Sequence, residues 1–377
     1  MYDDHALELS IAAAGLPGAV ALLTSSDGTS YHRAFGMADA TTGRPMHEDT
    51  VFQIASMTKA VVSVGAMQLV EQGRLALDAP IGEALPELAE VQVLDGFDAS
   101  ESPVLRSPAR PVTLRHLLTH TAGLGYFFIQ PEVLRYYSAT AMPAPGSLDS
   151  IRMPLLFDPG EKWEYSVATD WVGQAIEAVT GQRLGDYLAE TVLGPLEMKD
   201  TAFRSALPDD AARVHIRTPQ GGLAVNPMYL GGGEFDMGGG GLTSTAPDYG
   251  RFVQMILRGG ELAGNRVLRS ETVAEMTRNQ IGSLRAGAMG TSMPDLAQPF
   301  DPFPDQHSGW GLGFLINPEP GPAGRSPGSL SWAGIFNSYY WIDPHKDVAG
   351  VFMAQLAPFG DPGALEAYAA LERMAYA

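Results

Sequence analysis

Ser56-Met57-Thr58-Lys59 is the stretch of this 377-residue chain best equipped for chemistry. On a helix, positions three apart share one face, with Cβ atoms about 5–6 Å apart. A serine hydroxyl attacks a carbonyl carbon only when a neighbour removes its proton, and an uncharged lysine amine can do so. Burial favours the uncharged amine, and a helix start offers free N–H groups to developing negative charge. The run from Ala60 to Val70 is apolar except at Ser63, Gly65 and Gln68. A helix apolar on nearly all sides lies at the centre of a protein, where an unemployed lysine is costly. The motif alone is weak, because with so few lysines a Ser-x-x-Lys still arises by chance in roughly one sequence in four.

Two further elements supply what this pair lacks. Tyr165-Ser166-Val167 follows Phe157-Asp158-Pro159-Gly160, a turn able to present the phenol to a cleft. Beside Lys59, Tyr165 would share its proton and pass it to a departing alcohol, the two titrating as a coupled pair. Alone, Tyr165 is better explained by packing against Trp163. Leu330-Ser331-Trp332-Ala333-Gly334-Ile335 reads as a strand whose small residues let a ligand approach the backbone. The N–H groups of Ser56 and Ile335 would form an oxyanion hole there.

The candidate substrate contacts are Tyr126, Phe127, Trp332, Ala333 and Gly334, with Phe128 a further candidate for the pocket wall; core packing explains Phe127 and Phe128 equally well. His116 and His120 stand four apart without the intervening glutamate of a zinc helix, so no metal site is expected. Asp301, Asp305 and His307 carry the residue types of a triad, but nothing places them beside a serine. No Gly-x-Ser-x-Gly elbow occurs.

The elements that must position these residues can be read coarsely. Gly18 to Asp39 predicts two strands around the turn Ser25-Ser26-Asp27-Gly28. A central helix runs from Ser56 to Glu71 and stops near Gly73. The middle of the chain predicts helices after the cap Thr113, from Thr169 to Thr180, and from Leu184 to Leu193. Gly231-Gly232-Gly233 and Gly238 to Gly241 mark permissive backbone on the way back to the first unit. Helices are expected at Ala246–Arg258 and Ser270–Asn279. The segment from Leu284 to Gln306 is too long for a connector and is placed over a site. Strands at Trp310–Ile316, Leu330–Trp332, Ser338–Ile342 and Val348–Met353 precede a last helix, Pro362 to Tyr376. The expected fold is α+β: an antiparallel sheet from both chain ends, flanked by helices, with a mainly helical domain inserted. The boundaries are 1–75 and 238–377 for the α/β domain and 76–237 for the helical one.

Composition narrows the partners. Twenty-four basic and 43 acidic side chains give a formal charge of −19, which argues against nucleic acid or an anionic membrane. No run approaches the roughly 20 apolar residues of a membrane span. The start, Met1-Tyr2-Asp3-Asp4-His5, lacks the order of a secretory signal, so a cytoplasmic location is expected. With no cysteine, disulfides and thiolate catalysis are excluded. No cofactor is expected, and the oligomeric state is open.

Together the three elements resemble the β-lactamase and penicillin-binding protein superfamily, specifically the class C β-lactamase-like esterases (family VIII carboxylesterases). The resemblance extends to Leu117-Leu118-Thr119-His120-Thr121-Ala122-Gly123-Leu124, to Phe157–Ser166 and to Gly239-Gly240-Gly241-Leu242-Thr243-Ser244-Thr245. It implies a Ser-Lys-Tyr centre at Ser56, Lys59 and Tyr165, and a structural role for the segment holding His116 and His120. Class C lactamases carry Tyr-x-Asn where this chain has Val167, and Lys-Thr-Gly where it has Trp332-Ala333-Gly334. The first change removes a hydrogen-bonding amide and the second a cation for the drug's carboxylate; tryptophan offers an apolar wall instead. The resemblance therefore implies hydrolysis of small-molecule carboxylic esters through an acyl-enzyme. The alternatives are acyl transfer from the same intermediate, a β-lactamase or D-Ala-D-Ala-type peptidase, metal-dependent hydrolysis, and a binding protein without catalysis.

Overall fold

The computed structural model describes residues 2–377. Its frame is an eight-stranded antiparallel sheet that joins both ends of the chain. Across the sheet the strands are Gly309–Trp310, Leu315–Ile316, Leu330–Gly334, Ser338–Asp343, Val348–Met353, Gly18–Ser25, Gly28–Asp39 and Arg44–Pro45. The first and last thirds of the sequence meet where Val20 pairs with Met353 and Leu22 with Val351. The hairpin around Pro344 keeps Tyr339 opposite Phe352. Its turn is closed by Asp343, which accepts the N–H groups of His345 and Lys346.

Alternation along the strand Gly18–Ser25 sorts the core into two layers, since successive side chains point to opposite faces. Ala19, Ala21 and Leu23 pack with Leu7, Ile11, Ala364, Ala367 and Leu371 from the two terminal helices. Val20 and Leu22 face the larger cluster formed with the helices Thr58–Glu71 and Ala246–Leu257. The helix Asp4–Ala13 is absent from the elements expected above. Its signals are the cap Asp3, which accepts the N–H of Ala6, and the pair Leu7 and Ile11 four apart.

The central helix is buried along its whole body, from Thr58 to Leu69. Each fully buried valine or leucine contributes roughly 1.5–3 kcal/mol, so this element is the rigid post of the molecule. Gly65 lets the neighbouring helix approach: a Cβ there would stand 2.6 Å from Leu188. The regular helix begins at Thr58, two residues later than expected, after a single 3-10 turn, Ala55–Met57.

Other elements depart from expectation in their limits. The strand expected over Trp310–Ile316 is two short strands, Gly309–Trp310 and Leu315–Ile316, folded back on each other. Gly313 (φ 102°) makes the reversal against the central helix, where a Cβ would meet Ser63 Oγ at 2.6 Å. Leu184–Leu193 divides into an α-helix, Leu184–Leu188, and a π-turn, Ala189–Leu193. The last helix, Pro362–Tyr376, has the expected limits. No helix among the described residues is long and apolar enough to cross a membrane.

Candidate active site

Ser56 stands on the 3-10 turn that feeds the central helix. The preceding Ala55 is buried with φ 46°, a left-handed conformation that costs a non-glycine residue about 1–3 kcal/mol. Packing holds it there: Gly334, at the end of the strand Leu330–Gly334, lies so close that a Cβ would stand 2.5 Å from the carbonyl oxygen of Ile54. The strain and the close approach turn Ser56 toward the strand and bring Ile335 beside it. Neither the Ser56 nor the Ile335 N–H has a backbone acceptor among the described residues.

Lys59 is 1% exposed, and its amine has three partners. Nζ lies 3.2 Å from Ser56 Oγ, 3.0 Å from the Tyr126 hydroxyl and 2.6 Å from the carbonyl oxygen of Gly239. Three acceptors match the donor capacity of an ammonium group. Tyr165 also meets the amine, which lies 4.7 Å from the centre of its ring. Its hydroxyl oxygen accepts the indole N–H of Trp332 at 3.0 Å. Thus the phenol bonded to Lys59 is Tyr126, while the Tyr165 hydroxyl is held by the tryptophan that stands where class C lactamases carry lysine. Burial, reinforced by Tyr165 and Asp170, pushes the Tyr126 phenol well above its ordinary value, so it stays protonated.

The cleft above Ser56 is lined by Tyr165, Trp332, Ala333, Gly334 and Ile335, all expected at the site, and by residues that sequence reasoning missed. Met289, Gly290, Ala297 and Gln298 come from the long segment Leu284–Gln306, which does cover the site. Ile129 and Phe359 complete the wall together with Phe128, which was a candidate from the sequence. Phe359 lies beyond the last strand and carried no signal in the sequence. No lining side chain is charged. Tyr126 and Phe127, expected as substrate contacts, are not among the residues lining this cleft. The Tyr126 hydroxyl is drawn inward to Lys59, and Phe127 packs edge-on against Phe128.

The remaining candidates are engaged elsewhere. His116 completes a capping box with Thr113. His120 lies beyond the helix end with φ 56°, and its Nδ1 is 3.1 Å from Ser166 Oγ. The break after Leu118 separates the two imidazoles. Asp301 pairs with Arg285, and His307 contacts the carbonyl of Ser283. Tyr165 and Trp332 of the cleft wall continue inward into an aromatic cluster with Trp163, Trp310 and His120, in which His120 meets Trp163, Tyr165 and Trp310 and the ring centres lie 4.7 to 6.5 Å apart. Burial, with the charge of Lys59 behind it, holds His120 neutral.

Fold and site together have known counterparts. The Beta-lactamase family model matches residues 4–375, and the chain belongs to that family. Lovastatin esterase of Penicillium rubens is 30% identical over 92% of this chain and 91% of its own length. Monacolin J acid methylbutanoyltransferase of Aspergillus terreus is 30% identical over 96% and 92% respectively. Among solved structures, the LovD6 mutant of simvastatin synthase from Aspergillus terreus superposes with a TM-score of 0.85 at 30% identity, covering 98% of this chain and 95% of that one. The protein is accordingly a serine hydrolase of the β-lactamase-like class, with esterases and acyltransferases for relatives.

Proposed function

We propose that this protein is a carboxylesterase that cleaves uncharged small-molecule esters through an acyl-enzyme on Ser56. The observation that carries the reading is the 3.2 Å contact between Lys59 Nζ and Ser56 Oγ at the foot of an uncharged, largely apolar cleft. In its uncharged form the Lys59 amine keeps two N–H groups and turns its lone pair on the serine hydroxyl. Ser56 Oγ bonds to the ester carbonyl carbon as its proton passes to Lys59, and the N–H groups of Ser56 and Ile335 hold the oxyanion. Trp332 occupies a lone pair of the Tyr165 oxygen, which leaves the phenol proton free for the departing alkoxide; the Lys59 ammonium then makes good that proton. The C–O bond to the alcohol breaks, and water repeats the sequence to release the acid.

A lactamase or peptidase is disfavoured, since Trp332 gives a substrate carboxylate no cation and Val167 is buried outside the cleft. Acyl transfer differs only in that a second alcohol, amine or thiol replaces water. The relative named as a methylbutanoyltransferase supports keeping it as the second reading.

The test is hydrolysis of p-nitrophenyl esters beside a chromogenic cephalosporin, with fluorophosphonate labelling located by mass spectrometry. Ser56 is expected to carry the adduct, and Ser56→Ala to lower ester turnover by about a thousandfold or more. Faster turnover of the cephalosporin, or an active Ser56→Ala protein, would refute the assignment.

A further inference from the structure

Asp170 lies in the first turn of the helix Ala168–Thr180 and is 1% exposed. Its Oδ1 accepts the N–H of Gly239 at 2.8 Å, and the carbonyl of the same glycine accepts Lys59 Nζ at 2.6 Å. The fit excludes a side chain between them: a Cβ on Gly239 would stand 2.4 Å from Asp170 Oδ2. One peptide unit thus links a buried carboxylate to a buried amine. The other ionisable groups facing Lys59 are Tyr126, Tyr165 and His120, from three different segments. Tyr126 is held protonated and His120 neutral, so the carboxylate among these neighbours is Asp170. A buried carboxylate with no guanidinium partner is expensive unless a cation offsets it.

We propose that Asp170 is a positioning residue for the reaction, a buried counter-charge that holds Lys59 on Ser56 through the Gly239 peptide and stabilises the ammonium formed when Ser56 is deprotonated. This rests on the acyl-enzyme reading above. Burial raises the Asp170 carboxyl, and the lysine charge, next in weight, pulls it back down.

Asp170→Asn keeps the shape and the acceptor for Gly239 while removing the charge. It is expected to lower kcat on p-nitrophenyl acetate about ten- to hundredfold, part of the roughly 10²–10⁴ that a positioned base contributes, with KM little changed. The acid limb of its kcat/KM profile is expected to move, because a buried negative charge behind the reacting groups has been removed. A folded Asp170→Asn protein with the native kcat and an unmoved limb would overturn the proposal. A second measurement does not depend on that variant. Carboxyl-¹³C NMR of the aspartates is expected to show Asp170 taking up a proton at higher pH in Lys59→Met than in the native protein, and equal titration in both would also overturn it. Fluorophosphonate labelling separates the two levels: a labelled Ser56 with an unaltered Asp170→Asn profile sinks only the role of Asp170, whereas an unlabelled Ser56 in active protein sinks the acyl-enzyme reading.

Discussion

The indole N–H of Trp332 donates to the hydroxyl oxygen of Tyr165 at 3.0 Å, with the two rings 4.8 Å apart at their centres. A single substitution relative to the class C pattern thereby changes two things. It leaves the cleft without that cation, and it ties down one lone pair of the Tyr165 phenol. Trp332→Phe keeps most of the apolar surface and deletes that donor. The expected loss in kcat is roughly three- to tenfold, the equivalent of one hydrogen bond of about 0.5–1.5 kcal/mol. Steady-state kinetics on a p-nitrophenyl ester decides it, and an unchanged kcat would mean that the contact does not tune Tyr165.

Tyr126 meets Lys59 rather than the cleft, and that difference is measurable. Tyr126→Phe removes a hydrogen bond from a charged group, which is expected to lower kcat about ten- to hundredfold with little change in KM. Were Tyr126 a substrate wall, KM would rise and kcat hold. Phe127→Ala serves as the comparison, with kinetics near those of the native enzyme.

Gly334 is demanded by the approach of its strand to the turn carrying Ser56. In Gly334→Ala the new methyl would press on the Ile54 carbonyl at 2.5 Å, so either the turn or the strand must shift. The expected destabilisation is about 1–3 kcal/mol. Activity is expected to fall further than stability accounts for, because the shift moves the N–H of Ile335 away from that of Ser56. Denaturant melts paired with kinetics separate the two effects; a stable and fully active variant would contradict the close packing.

Stability should depend on pH through His215. This imidazole is fully buried, its Nε2 accepts the N–H of Ala40 at 3.1 Å, and burial outweighs the pull of Asp39 to hold it neutral. Its folded value lies below the unfolded value of about 6.5. Its contribution is therefore complete above that pH and is lost as pH falls toward the depressed folded value. Asp170 and Asp248, whose carboxyls burial raises, act with the opposite sign but equally in native and variant proteins. His215→Gln is expected to lose less Tm than the native protein between pH 7.5 and 5.5. Parallel declines would show that His215 has no part in it.

How far the sequence reaches differs from element to element. The strand pairs, the buried helix after Ser56 and the final helix are written in local periodicity and turn chemistry, which act over a few residues. Ser56 and Lys59 are three apart where a 3-10 turn runs on into the central helix, so their meeting follows from the rise of one helical turn. Trp332 and Tyr165 are 167 positions apart and Gly239 and Lys59 180, and no local rule fixes which atoms of such pairs touch. The contact of Tyr126 with Lys59, the packing of Phe127 against Phe128 and the bond of Asp170 to the Gly239 N–H were decided by packing in three dimensions. The free energy of burying one lysine is minimised only where every acceptor within reach converges on it, and those acceptors come from segments that only the completed fold brings together.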